Sequence, residues 1–298
     1  MPDKDPQFLT LRSGRRLCFA EYGALDGQPV FYFHGWPSSR LQASLLSALA
    51  RERGLRLIAP DRPGAGRSDP DPDRHLCDWP PVVAELADHL SIEQFLVMGV
   101  SGGGPFATAC AYWLHERVRA ATVVCGAPPL HEFPDRSDLL FPYRLLLRLR
   151  PIAPALMIPL IPLARWIASQ EAHQVPLKWV LKWVDPADRK ALENHDDLRI
   201  VMAGFLEGSL QGGMPLVRDP DIYLEDWEID YSEFRTPIDI WHGALDRNLP
   251  ISMAREIASR IPTARPHWIE DEGHYSIAMN KAPEILDSLI ALGAPSGG

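Results

Sequence analysis

Ser101 lies in Gly99-Val100-Ser101-Gly102-Gly103, which fits the pattern G-x-S-x-G. In that pattern the serine occupies a sharp turn between a strand and a helix, and glycines two positions either side let the backbone close on itself. The hydroxyl then stands clear of the chain. A serine hydroxyl is a weak nucleophile at neutral pH, so it needs a base beside it and a group that orients the base. Residues of both types follow far downstream: Asp246 ends Gly243-Ala-Leu-Asp246, and His274 ends Glu270-Asp-Glu-Gly-His274. By residue type alone, Asp239, Asp271 and Glu272 compete with Asp246 for the acidic role. His242 closes a strand but precedes the acid turn, and it is read as a structural imidazole.

The elements needed to hold Ser101 are legible on either side of it. Phe95, Leu96, Val97 and Met98 form an apolar run long enough for a strand buried on both faces and short for a helix. After the turn, Pro105 suits an early helical position, and Phe106, Cys110, Trp113 and Leu114 recur along one helical face. Upstream, Gln7 to Leu11 and Arg15 to Tyr22 predict a hairpin about Ser13-Gly14, and Pro29 to His34 a strongly apolar strand. A helix over Ser39 to Arg53, a strand over Leu55 to Ala59, a helix over Trp79 to His89 and a strand over Ala120 to Cys125 complete the first part. Strands alternating with helices imply a mostly parallel sheet covered on both faces, with ligands gathering beyond the carboxyl ends of the strands.

The alternation stops at Gly126-Ala-Pro-Pro129 and resumes at Pro237, with strands over Ile238 to His242 and Pro266 to Ile269. A helix over Ile251 to Arg260 and a last one over Ser276 to Leu292 accompany them. The chain therefore divides into an α/β core over 1–126 and 236–298 and a helical insertion over 127–235, rich in Pro, Leu and Trp. Within the insertion, the stripe Trp179, Val180, Trp183, Val184 reads as packing, and Glu132 and Glu207 read as solvated acids.

With its elbow between strand and helix, the chain resembles the α/β-hydrolases. The resemblance covers the two core segments and implies the α/β-hydrolase fold with a helical cap over the strand ends. The family order is nucleophile, acid, histidine, and here it implies Ser101, Asp246 and His274, each after an appropriate strand. The family also takes one oxyanion donor from the residue after the nucleophile, implying the Gly102 amide. The second comes from the loop His34-Gly35-Trp36-Pro37, implying the Trp36 amide, while His34 itself reads as structural. Haloalkane dehalogenases and epoxide hydrolases carry Asp at the elbow where this chain has Ser101, and proline iminopeptidases carry Trp where it has Gly102.

What the resemblance implies is carboxylic ester cleavage through an acyl-Ser101 intermediate, with neither metal nor cofactor. Amide, lactone, thioester and carbon-carbon bond hydrolysis run on the same residues, and a non-catalytic ligand receptor on the same fold is the alternative of another class. For the acyl group, we expect an apolar wall from Trp36, Phe133 and Phe141, together with part of the uncharged run over 151–164.

Composition limits the partners. The chain has 298 residues, 46% hydrophobic and 23% charged, which suits a globular protein with a large core. Its net charge of -9 argues against nucleic acid, whose phosphates reward clustered Lys and Arg. No leader pattern and no apolar run of spanning length appears, so the expectation is a cytoplasmic protein without stable membrane insertion. Cys18, Cys77, Cys110 and Cys125 have no C-x-x-C spacing, which suggests buried small residues rather than a zinc site or disulfides. The Gly-rich turn Asp61 to Ser68 lacks the Lys-Ser/Thr of a phosphate loop. A small ester-type molecule is the partner expected, and the oligomeric state is left open.

Overall fold

The computed structural model describes residues 6–149, 161–166, 169, 185–193 and 195–294. Eight strands form one sheet: β1 (Gln7–Thr10), β2 (Arg16–Gly23), β3 (Gln28–Phe33), β4 (Leu55–Pro60), β5 (Phe95–Val100), β6 (Val118–Val124), β7 (Ile238–Gly243) and β8 (Ala264–Ile269). Their order across the sheet is β1-β2-β4-β3-β5-β6-β7-β8. Only β2 runs antiparallel, against β1 and β4; the other pairs are parallel. β3 and β5 are neighbours near the middle, so the loops that leave their carboxyl ends meet.

Alternation along these strands sends side chains into two separate cores. Phe31, Phe33, Phe95 and Val97 point to one face, where α2 (Trp79–His89) contributes Val83 and Leu86 and α3 (Gly104–Trp113) contributes Phe106 and Cys110. Val30, Tyr32, Leu96 and Met98 point to the other, against Ala50 of α1 (Ser47–Glu52) and Ile285, Leu286 and Leu289 of the last helix. Every residue of β5 is buried. A strand covered on both faces reads as a continuous apolar run, which is why β5 shows no polar alternation.

Three expected elements differ in detail. The helix over Ser39 to Arg53 is a 3-10 helix, Arg40–Leu46, followed by α1; Ser39 caps it by accepting from the Leu41 amide. Arg40 is buried there, with its amide and guanidinium both donating to Asp61 at 2.7 Å, so this turn is tied inward at its first residue. The last helix is two, α9 (Ser276–Asn280) and α10 (Ala282–Leu292), parted at Lys281 just before Pro283, which has no N–H to continue the ladder. α8 (Ile251–Arg260) stands as expected.

Between β6 and β7 the described residues hold helices and no strand: α4 (Phe141–Arg148), α5 (Pro186–Leu192), α6 (His195–Gly208) and α7 (Gly213–Leu224). Residues 151–160 of the uncharged run, and Trp179, Val180, Trp183 and Val184, lie outside the described residues. Glu207 of α6 is not solvated: it stands 2.8 Å from the buried Arg40 guanidinium and 2.8 Å from Arg67, because a buried arginine requires a counter-charge. Glu132 pairs with Arg260. Cys18, Cys110 and Cys125 are buried, Cys77 is half-buried, and all four are unpaired thiols. Asp61 sits inside the Gly-rich turn, accepting also from the Arg67 amide, so the turn wraps a carboxylate and not a phosphate. Among the described residues no helix is long and apolar enough to cross a membrane.

Candidate active site

β5 delivers Ser101 at φ 53°, in the left-handed region that side-chain-bearing residues disfavour by about 1–2 kcal/mol. A 3-10 turn over Ser101–Gly103 then starts α3. Two of the glycines are required by close approach. A Cβ on Gly99 would lie 2.4 Å from the Gly103 carbonyl oxygen, and one on Gly103 would lie 2.0 Å from that of Phe33. Close backbone contacts therefore shape this turn.

The His274 ring reaches Ser101 from the loop between β8 and α9. Its Nε2 is 2.9 Å from Ser101 Oγ and its Nδ1 is 2.7 Å from Asp246 Oδ2. Asp246 sits in the turn after β7, and its other oxygen accepts from the Asn248 and Leu249 amides at 2.8 and 2.9 Å. Burial by itself would raise the Asp246 pKa, but the His274 imidazole, with the His242 imidazole beside it, holds the carboxyl well below the usual carboxylate range. For His274, burial would lower the pKa, and the Asp246 carboxylate overcomes it and raises it. An imidazole between a hydroxyl and a carboxylate can take the hydroxyl proton and be stabilised once charged.

The competing acids are engaged elsewhere. Asp239 is buried under the sheet and accepts from Ser288 Oγ at 2.6 Å, Glu272 accepts from the Asn280 amide group at 3.0 and 3.1 Å, and Asp271 is exposed. His242 bonds the Leu249 carbonyl through Nε2 at 2.8 Å and stands 3.3 Å from Asp246, while its buried Nδ1 has no hydrogen-bond partner among the described residues. His34 donates through Nδ1 to the Gly35 carbonyl at 2.8 Å and accepts the Arg62 amide at 3.3 Å; burial, reinforced by Arg62, pushes its pKa down, so it is neutral.

The loop after β3 lies against the elbow. A Cβ on Gly102 would lie 3.0 Å from the Trp36 nitrogen, and one on Gly35 would lie 3.5 Å from Ser101 Cβ. The Trp36-Pro37 bond is cis. Side chains that sequence reasoning missed hold this loop: Gln42 accepts the Gly35 amide at 2.6 Å, and Arg62 donates to the carbonyls of His34 and, at 3.0 Å, Gly35. Arg62 is fully buried over the Phe106 ring, and Asp219 of α7 anchors it at 2.8 Å while also binding Arg74. From the same helix Tyr223 donates to the Gly102 carbonyl at 2.9 Å. No local sequence signal announces these pairings, since Arg62 and Asp219 are 157 positions apart.

Comparison with known proteins agrees with this architecture. A family model described as alpha/beta hydrolase fold matches residues 28–280. The chain belongs to the α/β-hydrolase fold family. Among its relatives, the bifunctional esterase/perhydrolase of Acinetobacter calcoaceticus is 30% identical over 125 residues, covering 41% of this chain and 45% of that one. A non-heme chloroperoxidase of Streptomyces lividans is 34% identical over 124 residues, with the same coverage. The matched stretch is thus under half the length of either relative. An esterase structure from Exiguobacterium antarcticum superposes with a TM-score of 0.67 at 18% identity, covering 96% of this chain and 98% of that one, a likeness of fold.

Two cavities of this α/β-hydrolase meet at Ser101, Trp36 and His274. The first, about 60 Å³, is walled almost wholly by carbon, from Leu130, Leu139, Leu147, Tyr223 and Leu249. The second, about 140 Å³, is more polar and is lined by Gln42, Met98, Met202, Phe205, Tyr275 and Met279. Neither includes the two phenylalanines expected in the acyl wall. Phe133 packs against the apolar core, and Phe141, at the first turn of α4, is 63% exposed with Arg144 over its ring. Helical spacing explains the exchange, because Leu147 and not Phe141 lies on the face of α4 that turns to Ser101.

Proposed function

We propose that this α/β-hydrolase cleaves carboxylic esters of compact apolar acids through an acyl-Ser101 intermediate. The observation that carries the reading is the unbroken line from Ser101 Oγ to His274 at 2.9 Å and on to Asp246 at 2.7 Å, opening into a carbon-lined cavity. His274 accepts the serine proton as Oγ attacks the carbonyl carbon, and Asp246 steadies the imidazolium. The amides of Trp36 and Gly102 donate to the oxyanion of the tetrahedral intermediate, a contribution worth roughly 10²–10³ in rate per donor. His274 returns the proton to the departing alcohol, then deprotonates the water that releases the acid.

The acyl group occupies the cavity that Gly102 lines, next to the oxyanion donors. The alcohol occupies the cavity lined by Tyr275 and Met279, beyond the histidine that protonates it. Residues 127–235 act as a cap, from which Leu139, Leu147, Pro220 and Tyr223 reach the first cavity. The relative named as an esterase/perhydrolase adds support for ester substrates.

Fluorophosphonate labelling followed by a p-nitrophenyl ester series tests the proposal. We expect label on Ser101, and kcat/KM rising a few-fold per carbon from acetyl upward until the cavity is full, since each buried CH₂ contributes ~0.8 kcal/mol. An unlabelled wild-type protein would point to a ligand receptor. Steady improvement out to palmitoyl, or preference for charged aminoacyl substrates, rejects the enclosed apolar acyl cavity.

A further inference from the structure

The loop that carries His274 is held by a carboxylate from outside the sheet. Asp188, in the first turn of α5, accepts the backbone N–H groups of His274, Tyr275 and Ser276 at 3.0, 2.9 and 2.9 Å. Its side chain is 2% exposed. These three amides open α9, and the first amides of a helix have no carbonyl partner within it. An aspartate from a distant helix meets that need here. The preceding glycine makes room for it, because a Cβ on Gly273 would lie 2.5 Å from Asp188 Oδ1. Within the loop, Ser276 Oγ accepts the Gly273 amide at 2.8 Å, closing the turn just before His274.

The consequence reaches the reacting atoms. The His274 amide is bonded to Asp188 Oδ2 while its ring spans Ser101 and Asp246, so one residue is fixed at its backbone by α5 and at its ring by the core. We infer that Asp188 is a positioning residue for ester cleavage, through which the inserted helices set the placement of the His274 imidazole against Ser101. The inference rests on the reading of His274 as the base. Charges acting on the ring come from Asp246 and, more weakly, Asp188; both are negative and both favour the imidazolium. A mere stabiliser of α5 would change neither kcat at fixed KM nor the acid limb of the pH profile.

Asp188→Asn tests this, because a carboxamide keeps the volume but turns an N–H donor toward one side of an all-donor loop. With misplacement on the scale of 1 Å costing about 100-fold, we expect kcat to fall about 10- to 100-fold with KM within about two-fold. The acid limb of kcat/KM should move to lower pH. Leu192→Ala, which loosens the buried face of the same helix without touching the carboxylate, should lower Tm and leave kcat and the acid limb in place. Hydrogen exchange on the wild-type protein supplies a readout that needs no variant: amides 274–276 should exchange slowly and open together with those of 187–192. The inference is overturned if those amides exchange freely, or if Asp188→Asn matches Leu192→Ala in losing Tm with unchanged kcat and pH profile. Failure of the wild-type protein to label at Ser101 overturns the hydrolase reading itself, and this inference with it. Labelling with fast exchange overturns this inference alone.

Discussion

The elbow and the loops opposite it are built by different physics. At Ser101 the chain is held by backbone packed on backbone: Gly99 and Gly103 admit carbonyl oxygens where any Cβ would clash, and a strand buried on both faces pins the turn. At Trp36 and His274 the chain is held by charges reaching across from helices that lie between β6 and β7 in the sequence. Asp219 steadies Arg62, which grips the carbonyls of the Trp36 loop, and Asp188 grips the amides of the His274 loop. Ser101 thus depends chiefly on close backbone packing, with one hydrogen bond from Tyr223 to the Gly102 carbonyl, whereas the Trp36 and His274 loops depend on long-range carboxylates. A site divided in this way can lose the alignment of those loops through a distant substitution while the elbow stays in place.

Substitutions separate the two halves. Ser101→Ala removes the proposed nucleophile from the elbow, so kcat should fall on the order of 10⁴ or more with the circular dichroism spectrum unchanged. Near wild-type hydrolysis of p-nitrophenyl acetate by this variant would break the comparison at its first term. Asp246→Asn should cost up to ~10⁴ in kcat, because a carboxamide favours the wrong tautomer of His274. Asp239→Asn and Asp271→Asn should cost far less, since neither carboxylate bonds the His274 ring. If either exceeded Asp246→Asn in the same assay, the acid has been assigned wrongly.

Asp219→Asn attacks the other half through charge. It leaves the buried Arg62 and Arg74 guanidinium groups without their carboxylate, and removing one partner of a buried pair costs about 3–5 kcal/mol. Urea unfolding should register that loss. A cost under ~1 kcal/mol would mean that the Trp36 loop is held without α7. The smallest effect concerns pH. Burial disfavours the charged imidazole, but Asp246 outweighs it, so the His274 pKa lies above its ordinary 6.5. The base must be neutral to act, and kcat/KM should therefore fall as pH drops through that raised value, tenfold per unit. An acid limb centred below 6.5 in the wild-type enzyme would contradict the Asp246 pairing.

Much of the elbow and of the sheet around it was legible beforehand. Glycine spacing about Ser101, the apolar run of β5 and the alternation of strands with helices are local patterns, and each is dictated by the conformations that neighbouring residues allow. Asp246 and His274 were singled out by the order that the family resemblance implies, each following a strand of the sheet. Legibility ended where side chains choose distant partners. Glu207 looked solvated until Arg40 required it, Phe141 looked like a pocket wall until the phase of α4 turned it outward, and a single helix over 276–292 broke at Lys281.

What the sequence by itself determined is the elbow around Ser101 and the strands and helices beside it, because backbone preference and apolar periodicity act over a few residues; Asp246 and His274 followed only from the order that the family resemblance implies. Only the tertiary structure decided how those groups are held. Arg62 and Asp219 are 157 positions apart and His274 and Asp188 are 86 apart, and nothing in the local chain around either aspartate distinguishes it from a surface acid. Their roles arise because burial makes an unpaired guanidinium or an open row of amides costly, and folding brings to each the carboxylate that removes that cost.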